Sequence, residues 1–183
     1  GPISAVYTVT LSKANNTGSA ITFEFDDSAT GTATSGSDYT AIAAAAQISV
    51  ANGATTGTIS VPIIDDAVFE TTETLIAGIN TPSNAAVTIT GASATANITD
   101  NDVANAVLSV TTQGNEAGPI SAVYTVSLSK ANNTGSAITF EFDDSATGTA
   151  ISGSDYTAIA AAAQISVANG ATTGTISVPI IDD

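Results

Sequence analysis

The chain has 183 residues, of which 17 are Asp or Glu and 2 are Lys, giving a formal net charge of -15 and a pI near 4.1. With no Arg, His, Cys, Met or Trp, it lacks the imidazole and thiol groups of nucleophilic catalysis and of zinc or haem sites, and it has no cationic footprint for nucleic acid or anionic lipid. The 43% hydrophobic share suffices for a core, but the longest apolar run, Ala41–Ala46, is far below the roughly 20 residues of a membrane span, and no signal-peptide pattern opens the chain.

In chain order the hydrophobic pattern has period two, the signature of half-buried strands. Tyr7, Val9 and Leu11 alternate with Thr8 and Thr10, then Ile21, Phe23 and Phe25 with Thr22 and Glu24. The Ala41–Ala46 run has the composition of a helical turn but leads straight into Ile48 and Val50. Asn52-Gly53, a tight-turn signal, separates that strand from Ile59, Val61 and Ile63. Leu75, Ala77 and Ile79 follow, then Ala94, Ala96 and Ile98. After Asp100-Asn101-Asp102-Val103-Ala104-Asn105 a new alternating segment starts at Val107 or Leu108.

Residues 1–66 recur as 118–183 with 64 of 66 positions identical; only Thr10/Ser127 and Thr34/Ile151 differ. The offset of 117 residues has the size of a whole domain rather than of a solenoid unit. The pattern therefore predicts tandem beads: 1–102 without its first strand, a linker at 103–106, and 107–183 without its last two strands. Seven short strands per period predict an all-β, immunoglobulin-like antiparallel β-sandwich.

In a sandwich each strand carries the chain from one end to the other, so successive loops alternate ends. Counting strands from Val107, the loops after the first, third and fifth strands share one end with the exit of the seventh. Glu116, Asp26, Asp27, Asp38, Asp65, Asp66, Glu70, Glu73, Asp100 and Asp102 all fall there, as do Asp143, Asp144, Asp155, Asp182 and Asp183 of the second copy. The opposite end, with Lys13-Ala14-Asn15-Asn16, Ala51-Asn52-Gly53 and Thr81-Pro82-Ser83-Asn84, carries no acid. Two carboxylates about 5 Å apart repel by roughly 3 kcal/mol at an effective dielectric near 20. With almost no Lys to neutralise them, a hard dication with oxygen ligands is the economical solution; calcium suits such irregular cages better than magnesium.

Several segments together resemble the Calx-beta domain: Gly31-Thr32-Ala33 with Gly36-Ser37-Asp38-Tyr39, Val61-Pro62-Ile63-Ile64-Asp65-Asp66, Glu70-x-x-Glu73 and Ile98-Thr99-Asp100-Asn101-Asp102. Asn115-Glu116-Ala117 and Val126-Ser127-Leu128-Ser129 fit the same pattern. The resemblance implies a seven-stranded sandwich binding several Ca2+ ions at one tip. It places ligands at Asp38, Asp65, Asp66, Glu70, Glu73, Asp100, Asp102 and Glu116, with Asp155, Asp182 and Asp183 as their counterparts in the second copy. Asp26 and Asp27 are not among them and are expected to add field or end the strand.

Tandem, nearly identical beads of this kind are similar to the extender regions of large bacterial surface adhesins; the regulatory sensors of sodium-calcium exchangers resemble a pair of diverged domains instead. The expected function is thus a calcium-stiffened extracellular extender, a structural element and not an enzyme. The alternative is a calcium-dependent ligand-binding module, lectin-like or mediating cell-cell adhesion; the absence of Trp for stacking on a sugar tells against it. Expected partners are neighbouring repeats of the same chain, with strand exchange or fibre contacts between copies, and neither nucleic acid nor an inserted membrane segment. Lacking Cys, an extracellular chain has to be braced by something other than disulfides.

Overall fold

The computed structural model describes residues 3–118 and 120–182. Thirteen strands run in chain order: β1 (Ser4–Thr10), β2 (Ile21–Asp27), β3 (Gln47–Val50), β4 (Thr56–Pro62), β5 (Phe69–Glu70), β6 (Glu73–Asn80), β7 (Ser93–Ile98), β8 (Ala106–Thr112), β9 (Ala122–Leu128), β10 (Asn132–Asn133), β11 (Ile138–Glu141), β12 (Gln164–Val167) and β13 (Thr173–Val178). Every alternating segment of the sequence forms a strand. The alanine run instead closes a turn, with the Ala46 N–H donating to the Ala43 carbonyl at 2.9 Å. No helix of the described residues is long and apolar enough to cross a membrane.

The chain divides into two compact units, Gly1–Asp66 with Thr72–Thr99, and Ala67–Thr71 with Asp100–Asp183. In the first, β1 pairs with β4, and the second sheet has the order β3-β2-β6-β7. In the second, one sheet has the order β13-β9-β8 and the other pairs β11 with β12. All these pairings are antiparallel; the two-residue β10–β5 pair, also in the second unit, is parallel. Each unit is a sandwich because its sheets are polar on one face and apolar on the other, and the apolar face must be covered by a second sheet.

In the first unit Tyr7, Val9, Phe23, Phe25, Ile48, Val50, Val61 and Leu75 form the core. The Tyr7 ring lies 5.1 Å from that of Phe25, and its hydroxyl donates to the Leu75 carbonyl at 2.8 Å, tying one sheet to the other. In the second unit Tyr124 and Phe142 repeat the ring contact at 4.9 Å. Among the described residues of that unit no strand corresponds to β6, and Tyr124 is half-buried where Tyr7 is buried.

The Asn52-Gly53 turn passes the chain from one sheet to the other rather than pairing its flanking strands. Gly53 adopts φ 84°, accessible to glycine at no steric cost. Gly57 is required for another reason: a Cβ there would lie 2.2 Å from the Ser49 carbonyl oxygen, and its copy Gly174 stands in the same relation to Ser166.

Beside this turn lies a feature the hydrophobic pattern does not signal. Asn15 is 2% exposed. Its Nδ2 donates to the Ser19 and Val50 carbonyls at 2.8 and 3.0 Å, and its Oδ1 accepts from the Thr17 hydroxyl and N–H. The Gly53 N–H donates to its carbonyl, and Asn52 Oδ1 accepts from the Gly18 N–H. Ser83 joins the same end through Thr22. The acid-free end is therefore closed by amides, and Asn132 repeats the arrangement in the second unit. Replacing Asn15 with Ala strands buried carbonyls, so Asn15→Ala is expected to destabilise the chain by about 2 kcal/mol in urea unfolding, whereas Asn16→Ala, at an exposed site, changes little.

Candidate metal centre

The connection from β2 to β3 returns to the end of β4. The Thr40 N–H donates to the Pro62 carbonyl and the Ile64 N–H to the Asp38 carbonyl, each at 2.9 Å, while Tyr39 bridges Ile63. This clamp places Asp38 beside the exit of β4, where Asp65 and Asp66 follow. Asp38 is 8% exposed. One of its carboxylate oxygens accepts the Thr34 N–H, and an oxygen of Asp38 lies within 4.8 Å of one of Asp66. Asp65 and Asp66 are exposed.

Within the first unit the structure thus brings Asp38 and Asp66 together, while Glu73 opens β6 opposite Ile98. Within the second, Glu70 closes β5, and its N–H donates to Asp100 Oδ2 at 2.8 Å. Asp100 Oδ1 accepts the Asp102 N–H at 2.9 Å. Asp102 itself forms an ion pair with Lys130, an engagement that no sequence spacing announces. Glu116 sits exposed in the turn after β8. Asp155 repeats the clamp of Asp38: its carbonyl accepts the Ile181 N–H at 3.0 Å and Thr157 donates to Pro179. Asp182 is exposed, and Asp183 lies outside the described residues.

Asp26 and Asp27 lie within β2 rather than beyond its end, and both have structural partners. Asp26 Oδ2 accepts from Asn80 Nδ2 at 2.7 Å. Asp27 Oδ1 accepts the Ala29 N–H, holding Ala29 at φ 52°, and its Oδ2 accepts the Tyr39 hydroxyl. Burial, reinforced by the bond to Asp27, pushes the Tyr39 hydroxyl up to about 12. In the second unit the bond from Tyr156 lowers the Asp144 pKa, and the same bond raises that of Tyr156.

Chemically, Asp38 and Asp66 offer oxygen donors alone, one buried and one exposed, at a spacing that a single cation can bridge. Without a cation they repel; with one, the repulsion becomes attraction. That donor set fits a hard dication and offers nothing to a soft metal.

The tyrosine behind this site has a measurable consequence. An unfolded tyrosine loses its proton near pH 10, whereas Tyr39 in the folded chain holds it to about 12. Its stabilising contribution is therefore complete below pH 10 and lost as pH rises through 12. Urea midpoints measured from pH 9 to 12 are expected to fall with pH, and Tyr39→Phe is expected to flatten that fall; an unchanged slope would remove the Tyr39–Asp27 bond from the account.

The Calx-beta domain family matches residues 4–102 and again residues 109–183. No curated protein sequence matches the chain. Among solved structures the chain is similar to CBD12 from CALX1.2, with 20% identity, a TM-score of 0.46, and coverage of 98% of this chain and 70% of that one. It is also similar to the calcium binding domain CBD12 of CALX1.1, with 21% identity, a TM-score of 0.45 and the same coverage. Both likenesses are distant, and the assignment rests on the sequence match. Matched in both repeats, the chain belongs to the Calx-beta domain family.

Proposed function

We propose that the chain is a calcium-binding structural extender from a large extracellular adhesin, in which Ca2+ stiffens the tip of each repeat and the passage to the next. The observation that carries this reading is the approach of Asp38 and Asp66 to within 4.8 Å in a chain of net charge -15 with 2 Lys. Asp38 and Asp66 bind the ion directly. Asp65, Glu70, Glu73, Asp100 and Asp102 act as further ligands of the first repeat, and Glu116, Asp155, Asp182 and Asp183 as those of the second. Repeats matching at 64 of 66 positions favour repetition for length over a tuned binding pocket. Neighbouring repeats are then the partners, and the cell surface or its exterior is the setting.

Calcium at a hundredfold excess over its dissociation constant adds about 2.7 kcal/mol to the folded state. For a unit of this size that corresponds to a rise in Tm of about 10 °C or more. Calorimetric titration is expected to show saturable calcium binding, which Asp38→Asn with Asp66→Asn weakens by at least tenfold. Chelation is expected to lower the Tm of the wild-type chain and to shorten a tandem multi-repeat protein in X-ray scattering. Binding without any change of dimensions would retain the ion and reject the stiffening role.

A further inference from the structure

Asn52 and Asn169 are the asparagines of the chain that a glycine follows, and both are exposed. That dipeptide is chemically labile in water. The glycine nitrogen attacks the asparagine Cγ, its proton departs with the side-chain amide as ammonia, and a succinimide ring closes. Water then opens the ring to aspartate or isoaspartate. No steric obstacle protects either site, since a Cβ built on Gly53 or Gly170 would have nothing within 4 Å. The chain has no Cys or Met to oxidise, so these two amides are its most reactive side chains.

The fold restrains both reacting groups. The Gly53 N–H donates to the Asn15 carbonyl at 2.5 Å, and the Gly170 N–H to the Asn132 carbonyl at 2.6 Å. Losing that proton, as the attack requires, would set an anionic nitrogen against a carbonyl oxygen. The carboxamides are held as well: Asn52 Oδ1 accepts the Gly18 N–H at 2.8 Å, and Asn169 Oδ1 the Gly135 N–H at 2.9 Å. A donor on Oδ1 polarises the amide in favour of attack, so the restraint resides in the glycine nitrogen. Asn15 also grips the turn from both sides. Its Nδ2 donates to the Val50 carbonyl at 3.0 Å and its N–H to the Ala54 carbonyl at 2.8 Å. Asn132 does the same to Val167 at 3.0 Å and Ala171 at 2.9 Å. Asn15 is 2% exposed and Asn132 0%, so water does not compete for these bonds.

We propose that Asn52 and Asn169 are the sites of spontaneous deamidation in this chain, and that the buried Asn15 and Asn132 gate them. The reaction proceeds from the opened turn, whose population is set by local unfolding of that end of the unit. Its products do not fit the closed state equally. Aspartate keeps the backbone and adds a carboxylate to an end that has none. Isoaspartate inserts a methylene into the backbone between Ala51 and Ala54, whose 3.0 Å hydrogen bond closes the turn, so the passage from β3 to β4 cannot close in the same register. The gate lies wholly within each unit, is built twice from the same residues, and owes nothing to the carboxylate cluster or its ion.

The test incubates the full chain in mildly alkaline buffer, with and without concentrated urea, and follows each asparagine by peptide mapping and mass spectrometry. In urea the acid is expected first at Asn52 and Asn169, ahead of Asn16, which is followed by the β-branched Thr17. In the folded chain both sites are expected to react at least about tenfold more slowly, because the turn must open first. Asn15→Ala is expected to speed Asn52 severalfold and leave Asn169 unchanged, and Asn132→Ala to do the reverse. Amide exchange of β2, paired on both sides by β3 and β6, separates local opening from global unfolding and is expected to stay slow in Asn15→Ala. Equal rates with and without urea, acid appearing first at another asparagine, acceleration of both sites by Asn15→Ala, no acceleration at all, or acceleration only with loss of β2 protection would each overturn the proposal.

Discussion

Two backbone hydrogen bonds, from Thr40 to Pro62 and from Ile64 to Asp38, hold the long loop after β2 against the end of β4. The candidate metal centre depends on them, because they set a buried carboxylate beside the exposed one of Asp66. Carboxylates so placed in a chain with 2 Lys are electrostatically unfavourable alone and favourable around a dication. The loop gains its rigidity elsewhere. Tyr39 is 2% exposed and anchored to Asp27, and the Ala33 N–H donates to the Thr74 carbonyl of β6. The site is thus a surface feature supported from the core.

The duplication separates local from long-range causes. The segment Phe-Asp-Asp occurs as residues 25–27 and 142–144. In the first copy it extends β2, because Glu24–Asp27 pair with Asn80–Ala77 of β6. In the second, where no strand among the described residues corresponds to β6, β11 ends at Glu141. The same contrast leaves Tyr156 half-buried while Tyr39 is buried, although both donate to the equivalent aspartate. Identical residues adopt identical turns, since turns are closed by neighbours in sequence; their burial differs because cover comes from strands tens of residues away.

Strand positions were legible in the amino-acid sequence because alternation is a local property, and the repeat because 64 of 66 positions recur. Asp38, Asp65 and Asp66 lie in loops, as the alternation predicts, whereas Asp26, Asp27, Glu70 and Glu73 lie in strands. The buried amides of Asn15 and Asn132 were not legible: a polar residue in a turn reads as exposed, and only its packing against the turn after β3 or β12 encloses it. Nor was the pairing of Lys130 with Asp102, whose 28-residue separation carries no periodic signal. By itself the sequence determined the strands, the repeat and the supply of hard oxygen ligands, all consequences of residue type and short-range order. Which carboxylates meet and which aspartates are already engaged by tyrosine or lysine were decided only by tertiary structure, because each depends on a partner contributed from a distant part of the chain.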